Sequence, residues 1–265
     1  MSGILISASD YEPAVAYFFP YALKAIEMAR ATGHEPLPCL RREQNVDNIY
    51  KNAVKASLIL HNGHGSADDT TGDQAVVIWH TCSYPTSTVE KKIVFLLSCL
   101  TGQRLAPDMA QKGASAVFAW DEVYIFNVAG GGDPLTDPYL KWFFWPILDG
   151  YRRVLEGEPA KAWYNYIIGS AQEALRDPSL PEHVKANIAW DANHLRLFGD
   201  PNATITPPSP PSPPKPPEKK KYRVVLKIEK DLTGYASIGR FRVPIYIYAE
   251  GTNIAGEAEE IQDVR

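Results

Sequence analysis

Leu58-Ile59-Leu60-His61-Asn62-Gly63-His64-Gly65-Ser66 and Phe95-Leu96-Leu97-Ser98-Cys99-Leu100-Thr101-Gly102 share one plan. Each opens as an apolar run without polar alternation, which suits a strand buried on both faces. Each then passes at once into small residues, the signature of a loop leaving the strand's end. Each loop carries a side chain suited to acyl transfer, His64 in the first and Cys99 in the second. In an open parallel sheet, reactive groups collect in the crevice beyond the carboxyl ends of the strands. If the two strands are neighbours, His64 and Cys99 face one cleft.

Working outward, apolar runs alternate with helical patterns. Strands are expected at Gly3–Ser7, Ala56–His61, Ala75–Trp79 (in a hairpin), Ile93–Leu97, Ser115–Trp120 and Leu195–Phe198. Helical composition covers Glu12–Thr32, with an interruption near Pro20 and a stop at Gly33, and Asp47–Lys55. Further helices are expected at Gln103–Lys112, Tyr139–Leu155, Ala160–Arg176 and Glu182–Ala192. Strand–helix alternation implies parallel pairing, and hence a three-layer α/β domain over about residues 1–205. Within it, Trp142-Phe-Phe-Trp145 reads as helix core.

A boundary follows at 206–221. In Pro207-Pro-Ser-Pro-Pro-Ser-Pro-Pro-Lys-Pro-Pro217, eight of eleven residues are proline, which can join neither a helix interior nor a sheet centre. At about 3.1 Å per residue the stretch makes a stiff spacer of about 34 Å. Beyond it, 222–265 shows two alternating runs, Tyr222–Glu229 and Phe241–Ala249, and reads as a small all-β unit that docks a protein partner or a second copy.

Composition narrows the field. The 265 residues are 45% hydrophobic and 22% charged, with a net charge of −4, which favours neither nucleic acid nor an anionic membrane as partner. No apolar run approaches the roughly 20 residues that cross a bilayer. Cys39, Cys82 and Cys99 are too few, and odd in number, for a disulfide framework. A reducing, cytoplasmic setting is therefore expected, or an extracellular one had a leader been removed.

Taken singly, a cysteine at a strand end reads as packing and a histidine as a hydrogen-bonded structural group. The pair suggests more: a thiolate attacks a carbonyl, and an imidazolium protonates the departing amine. A helix starting soon after Cys99 is expected to lower the thiol's pKa through its dipole. Gly65 and Cys99 can offer backbone N–H groups to the developing oxyanion. Zinc is the other chemistry available, since His61, His64, His80, Cys82, Asp68 and Asp69 lie close in sequence. With His61 still inside the strand and no Cys-x-x-Cys pair, neither a metal nor another cofactor is expected.

As an ordered set, His61–Ser66 and Ser98–Gly102 resemble the His-Gly and Cys signatures of caspase-fold cysteine peptidases. Within that clan they are most like the gingipain-type family, with kinship to CHAT-type domains. Gly113-Ala-Ser-Ala-Val-Phe-Ala-Trp120 resembles the strand after the cysteine's helix, and Leu197-Phe-Gly-Asp-Pro201 the Phe/Tyr-Gly-Asp-Pro close of such domains. The resemblance covers about 56–205. It implies a caspase-like fold, cleavage of a peptide or protein substrate through a thioester, His64 as general acid/base and Cys99 as nucleophile. The N–H groups of Gly65 and Cys99 would hold the oxyanion, and Trp120 would belong to the pocket for the residue before the scissile bond. Asp121 and Glu122 follow it, and a carboxylate there would favour Arg or Lys, unless the two are a solvated loop pair. Asp10 ends the first strand and either assists His64 or caps the following helix. The alternative is a catalytically silent binding or assembly module built on the same fold.

Overall fold

The computed structural model describes residues 3–130 and 132–205. The proline-rich spacer and the β unit at 222–265 lie outside the described residues. The chain runs β1 (Gly3–Ala8), α1 (Pro13–Ala16), α2 (Phe19–Ala31), β2 (Glu35–Leu40), α3 (Val46–Ala53) and β3 (Ala56–Asn62). A small hairpin follows, β4 (Asp69–Thr71) and β5 (Val77–His80), then β6 (Ile93–Leu97), α4 (Leu105–Gln111) and β7 (Ala116–Trp120). The chain closes with α5 (Leu140–Leu155), α6 (Ala160–Arg176), α7 (Glu182–His194) and β8 (Leu195–Gly199).

Six strands form one sheet in the order β2-β1-β3-β6-β7-β8, parallel except for β8, which runs antiparallel to β7. Strand side chains alternate between two cores. Ile4, Ile6, Leu58, Leu60, Phe95 and Phe118 pack beneath α2, α5, α6 and α7. Leu5, Ile59, Val94, Leu96 and Val117 pack on the other face with α3, α4 and the hairpin. Both faces being covered is why these strands carry continuous apolar runs.

The interruption expected near Pro20 is present: the break between α1 and α2 falls at Tyr17–Phe18, and Pro20 lies in the first turn of α2, where its missing N–H costs no hydrogen bond. β2 was not anticipated, because its sequence Glu35-Pro-Leu-Pro-Cys-Leu40 holds two prolines. It is the outermost strand, and prolines two apart turn their missing donors to the same side, so the ladder to β1 survives. No helix among the described residues is long and apolar enough to cross a membrane.

Candidate active site

β3 and β6 are adjacent and in constant register, from Leu58↔Ile93 to Asn62↔Leu97. A bond from Gly63 N to Leu97 O, 3.3 Å, carries the alignment one step further. His64 and Cys99 each stand two residues beyond the last pair, in loops that leave the same end of the sheet. Asn62 and Leu97 alternate with His61 and Ser98, and those two turn to the opposite face, where both bond Thr70 Oγ1 at 3.0 and 2.8 Å.

The hairpin ties the two loops together. Thr71 N donates to His64 O at 2.9 Å, His64 N to Thr71 Oγ1 at 3.2 Å, and Thr70 Oγ1 to His64 O at 3.2 Å. Glycine is required where the loops touch. A Cβ on Gly65 would lie 2.3 Å from Cys99 O, and one on Gly63 1.8 Å from Thr71 O. The nucleophile loop is held against the next strand by Gly102 N to Trp120 O, 2.8 Å, and Leu100 N to Glu122 O, 3.1 Å.

His64 is half-exposed, and its Nε2 pairs with Glu12 Oε1, which leaves Nδ1 free to face a reactant. The ring of Tyr11 meets the imidazole edge-on at 6.4 Å. Asp10 is corrected on both readings. Its carboxylate is occupied by Arg41, with contacts of 2.9–3.1 Å, and the residue at the N-cap of α1 is Glu12. The partner of His64 is thus the next carboxylate along, a residue the sequence analysis passed over.

Cys99 is half-buried, and burial pushes its thiol up; the Tyr124 N–H opposes this and the charge of Asp191 adds to it. The expected lowering by a helix dipole is therefore not the dominant effect. The helix begins six residues on, at Leu105, and has only seven residues. Trp120 is fully buried, donates from Nε1 to Asp191 O at 2.9 Å and packs against Phe95 and Tyr124, so it is core that adjoins the rim. Asp121 is held by His194 Nδ1 at 2.9 Å and Arg196 Nε at 2.7 Å. With Glu122 it lines an open, shallow groove beside Gly102 and Gln103, and its charge is already balanced there.

The metal-ligand types counted in sequence are dispersed. His61 is sealed inside, bonded to Ser7, Thr70 and Thr71, and burial pushes it down to about 3. His80 pairs with Asp69, Arg104 with Asp68, and Cys82 with Asp108. Among the described residues, no group of three or more His, Cys, Asp or Glu side chains is arranged to hold a metal ion.

No protein-family model matches the chain, and no curated protein matches it. Solved structures do. The Arg-specific cysteine proteinase gingipain R superposes with a TM-score of 0.53 at 13% identity, over 77% of this chain and 48% of that one. The complex of the pro- and mature domains of Porphyromonas gingivalis RgpB gives a TM-score of 0.50 at 13% identity, over 78% of this chain and 48% of that one. The chain spans about half the length of these neighbours. At such identity the likeness shows the fold alone, a mostly parallel α/β sheet architecture shared with these structures.

Proposed function

We propose that this chain is a cysteine endopeptidase in which Cys99 and His64 form the catalytic pair. The observation that supports the reading is the register of two neighbouring parallel strands, whose last pair, Asn62↔Leu97, precedes His64 and Cys99 by two residues each. His64 Nδ1 accepts the thiol proton as Sγ attacks the peptide carbonyl. The N–H groups of Gly65 and Cys99 stabilise the oxyanion. The C–N bond then breaks, the imidazolium returns its proton to the departing amine, and an acyl thioester remains. Water, deprotonated by His64, releases the acid and restores the thiol. Because burial raises the thiol, attack is coupled to proton transfer rather than starting from a standing thiolate. Glu12 holds the ring's other nitrogen. A basic residue before the scissile bond is the preferred substrate, as the resemblance implies.

Hydrolysis of a peptide library by the full chain and by Cys99→Ala tests the proposal. Activity in the first, lost by at least about 1000-fold in the second, is expected; equal rates in both would end it. The raised thiol specifically favours the second reading, a peptidase fold kept for binding, which predicts turnover by neither protein.

A further inference from the structure

The turn that carries Cys99 is held from outside. Leu100, the next residue, has a φ of +63°, a left-handed conformation that a bulky side chain rarely adopts, so its neighbours must over-determine it. Those neighbours are the end of β7 and the residues after it. Leu100 N donates to Glu122 O at 3.1 Å, Gly102 N to Trp120 O at 2.8 Å, and Gln103 Nε2 to Asp121 O at 2.9 Å. The nucleophile turn is thus only as well placed as the segment 120–125 that it leans on.

One residue of α7 clamps that segment at both ends. Trp120 Nε1 donates to Asp191 O and Ile125 N to Asp191 Oδ1, each at 2.9 Å. A carboxyl is a costly choice for the task. Asp191 is only 6% exposed, and its Oδ2 is buried with no partner. The crevice it lines, with Trp142, Phe143, Ile147 and Ile167, has accessible space of about 20 Å³, room for about one water. No substrate side chain fits there, so the carboxyl serves its own chain. Burial holds it well above the usual carboxylate range, which suppresses a charge that would raise the Cys99 thiol. The Tyr124 N–H, carried by the same segment, acts on that thiol in the opposite direction.

We propose that Asp191 is a positioning residue for the nucleophile: by accepting the Ile125 N–H it fixes residues 120–125, and through them the strained turn at Leu100 that sets Cys99. The inference rests on the peptidase reading only for calling Cys99 a nucleophile. A carboxyl oxygen or its amide equivalent can hold the clamp, whereas an apolar residue of similar size cannot. Once the clamp is released, Leu100 relaxes out of the left-handed region and the sulfur moves with it.

Initial rates of peptide hydrolysis by variants of the full chain test the proposal. Asp191→Asn keeps the acceptor and should stay within about threefold of the natural kcat, while Asp191→Leu should lose about tenfold with KM unchanged. Glycine adopts the left-handed turn without strain, so in a Leu100→Gly background the same Asp191→Leu change should cost about twofold at most. A merely destabilising substitution would not be rescued in that way. Equal losses in the Asn and Leu variants, no loss in Asp191→Leu, or no recovery with glycine would overturn the proposal. If Asp191→Leu does not fold, Asp191→Ala carries the same expectation, and a tenfold loss in Asp191→Asn would by itself be decisive against it. Should the natural chain cleave nothing, the peptidase reading falls and alkylation of Cys99 by iodoacetamide, followed at that residue by mass spectrometry, decides this one. Labelling about tenfold slower in Asp191→Leu, with Asp191→Asn unchanged, keeps the positioning role, because the Tyr124 N–H has been withdrawn from the thiol. Equal or faster labelling in Asp191→Leu would end it.

Discussion

Glu12 reaches His64 from 52 residues away, across the gap between β1 and β3, and leaves the helix it precedes without a side-chain cap. A carboxylate given up by a helix start and spent on an imidazole is a positioning group in the proposed mechanism. It fixes which nitrogen faces the substrate. Glu12→Gln keeps the shape and removes the charge. The expected outcome is a fall in kcat on the order of 100-fold with KM unchanged, read from initial rates on the best substrate. Partial recovery in Glu12→Asp is also expected, which a purely structural role would not produce. At the same scale, Asp10 and Asp121 show how an acidic residue near a site is disqualified by its neighbours. Arg41 holds the first; Arg196 and His194 hold the second.

Elements are positioned here by a few close approaches that tolerate no extra atom. The α5–α6 contact depends on Gly150, where a Cβ would stand 1.9 Å from Cδ1 of Trp163. That indole is fully buried, stacks on Phe95 at a ring separation of 4.5 Å and meets Phe118 at a tilt at 5.1 Å, joining the helical layer to β6 and β7. Gly150→Ala should therefore cost about 1–3 kcal/mol, since the indole must leave its place between helix and sheet; a lowered urea midpoint with unchanged slope is the expected reading. The β4–β5 hairpin has a different task. Besides burying Ile78 and Trp79, it carries threonines that bond to His61, His64 and Ser98, so two side chains of one short strand register both loops of the site. The strand at Ala75–Trp79 was legible from its apolar residues; its partner Asp69–Thr71 was not, because three polar residues carry no periodic signal.

The molecule's response to acid follows from a group with no proposed catalytic part. His61 is neutral in its buried site, with a folded value of about 3 against an ordinary 6.5. As pH falls, the unfolded chain takes up that proton first. Its contribution to stability is thus complete above about 6.5 and declines through the window down to about 3, by at most about 1.4 kcal/mol per pH unit. Denaturant titrations between about pH 7 and about pH 4 should show a shallower loss in His61→Gln than in the natural chain. Identical slopes would assign acid sensitivity to the carboxylates instead.

Much of the architecture was readable along the chain. The continuous apolar runs, the glycine-rich exits after Asn62 and Leu97, and the helices at 140–155, 160–176 and 182–194 are local patterns, and secondary structure responds to local patterns. His64 and Cys99 stood out for the same reason, as side chains placed where a strand stops. What surrounds them was decided by folding. That β3 lies beside β6 in constant register, that Glu12 and not Asp10 meets the imidazole, and that Asp121 is met by His194 and Arg196 all depend on residues tens of positions apart. A crossover topology brings such residues together, and whether a charge is met or stranded depends on burial and on neighbours that only the packed layers supply.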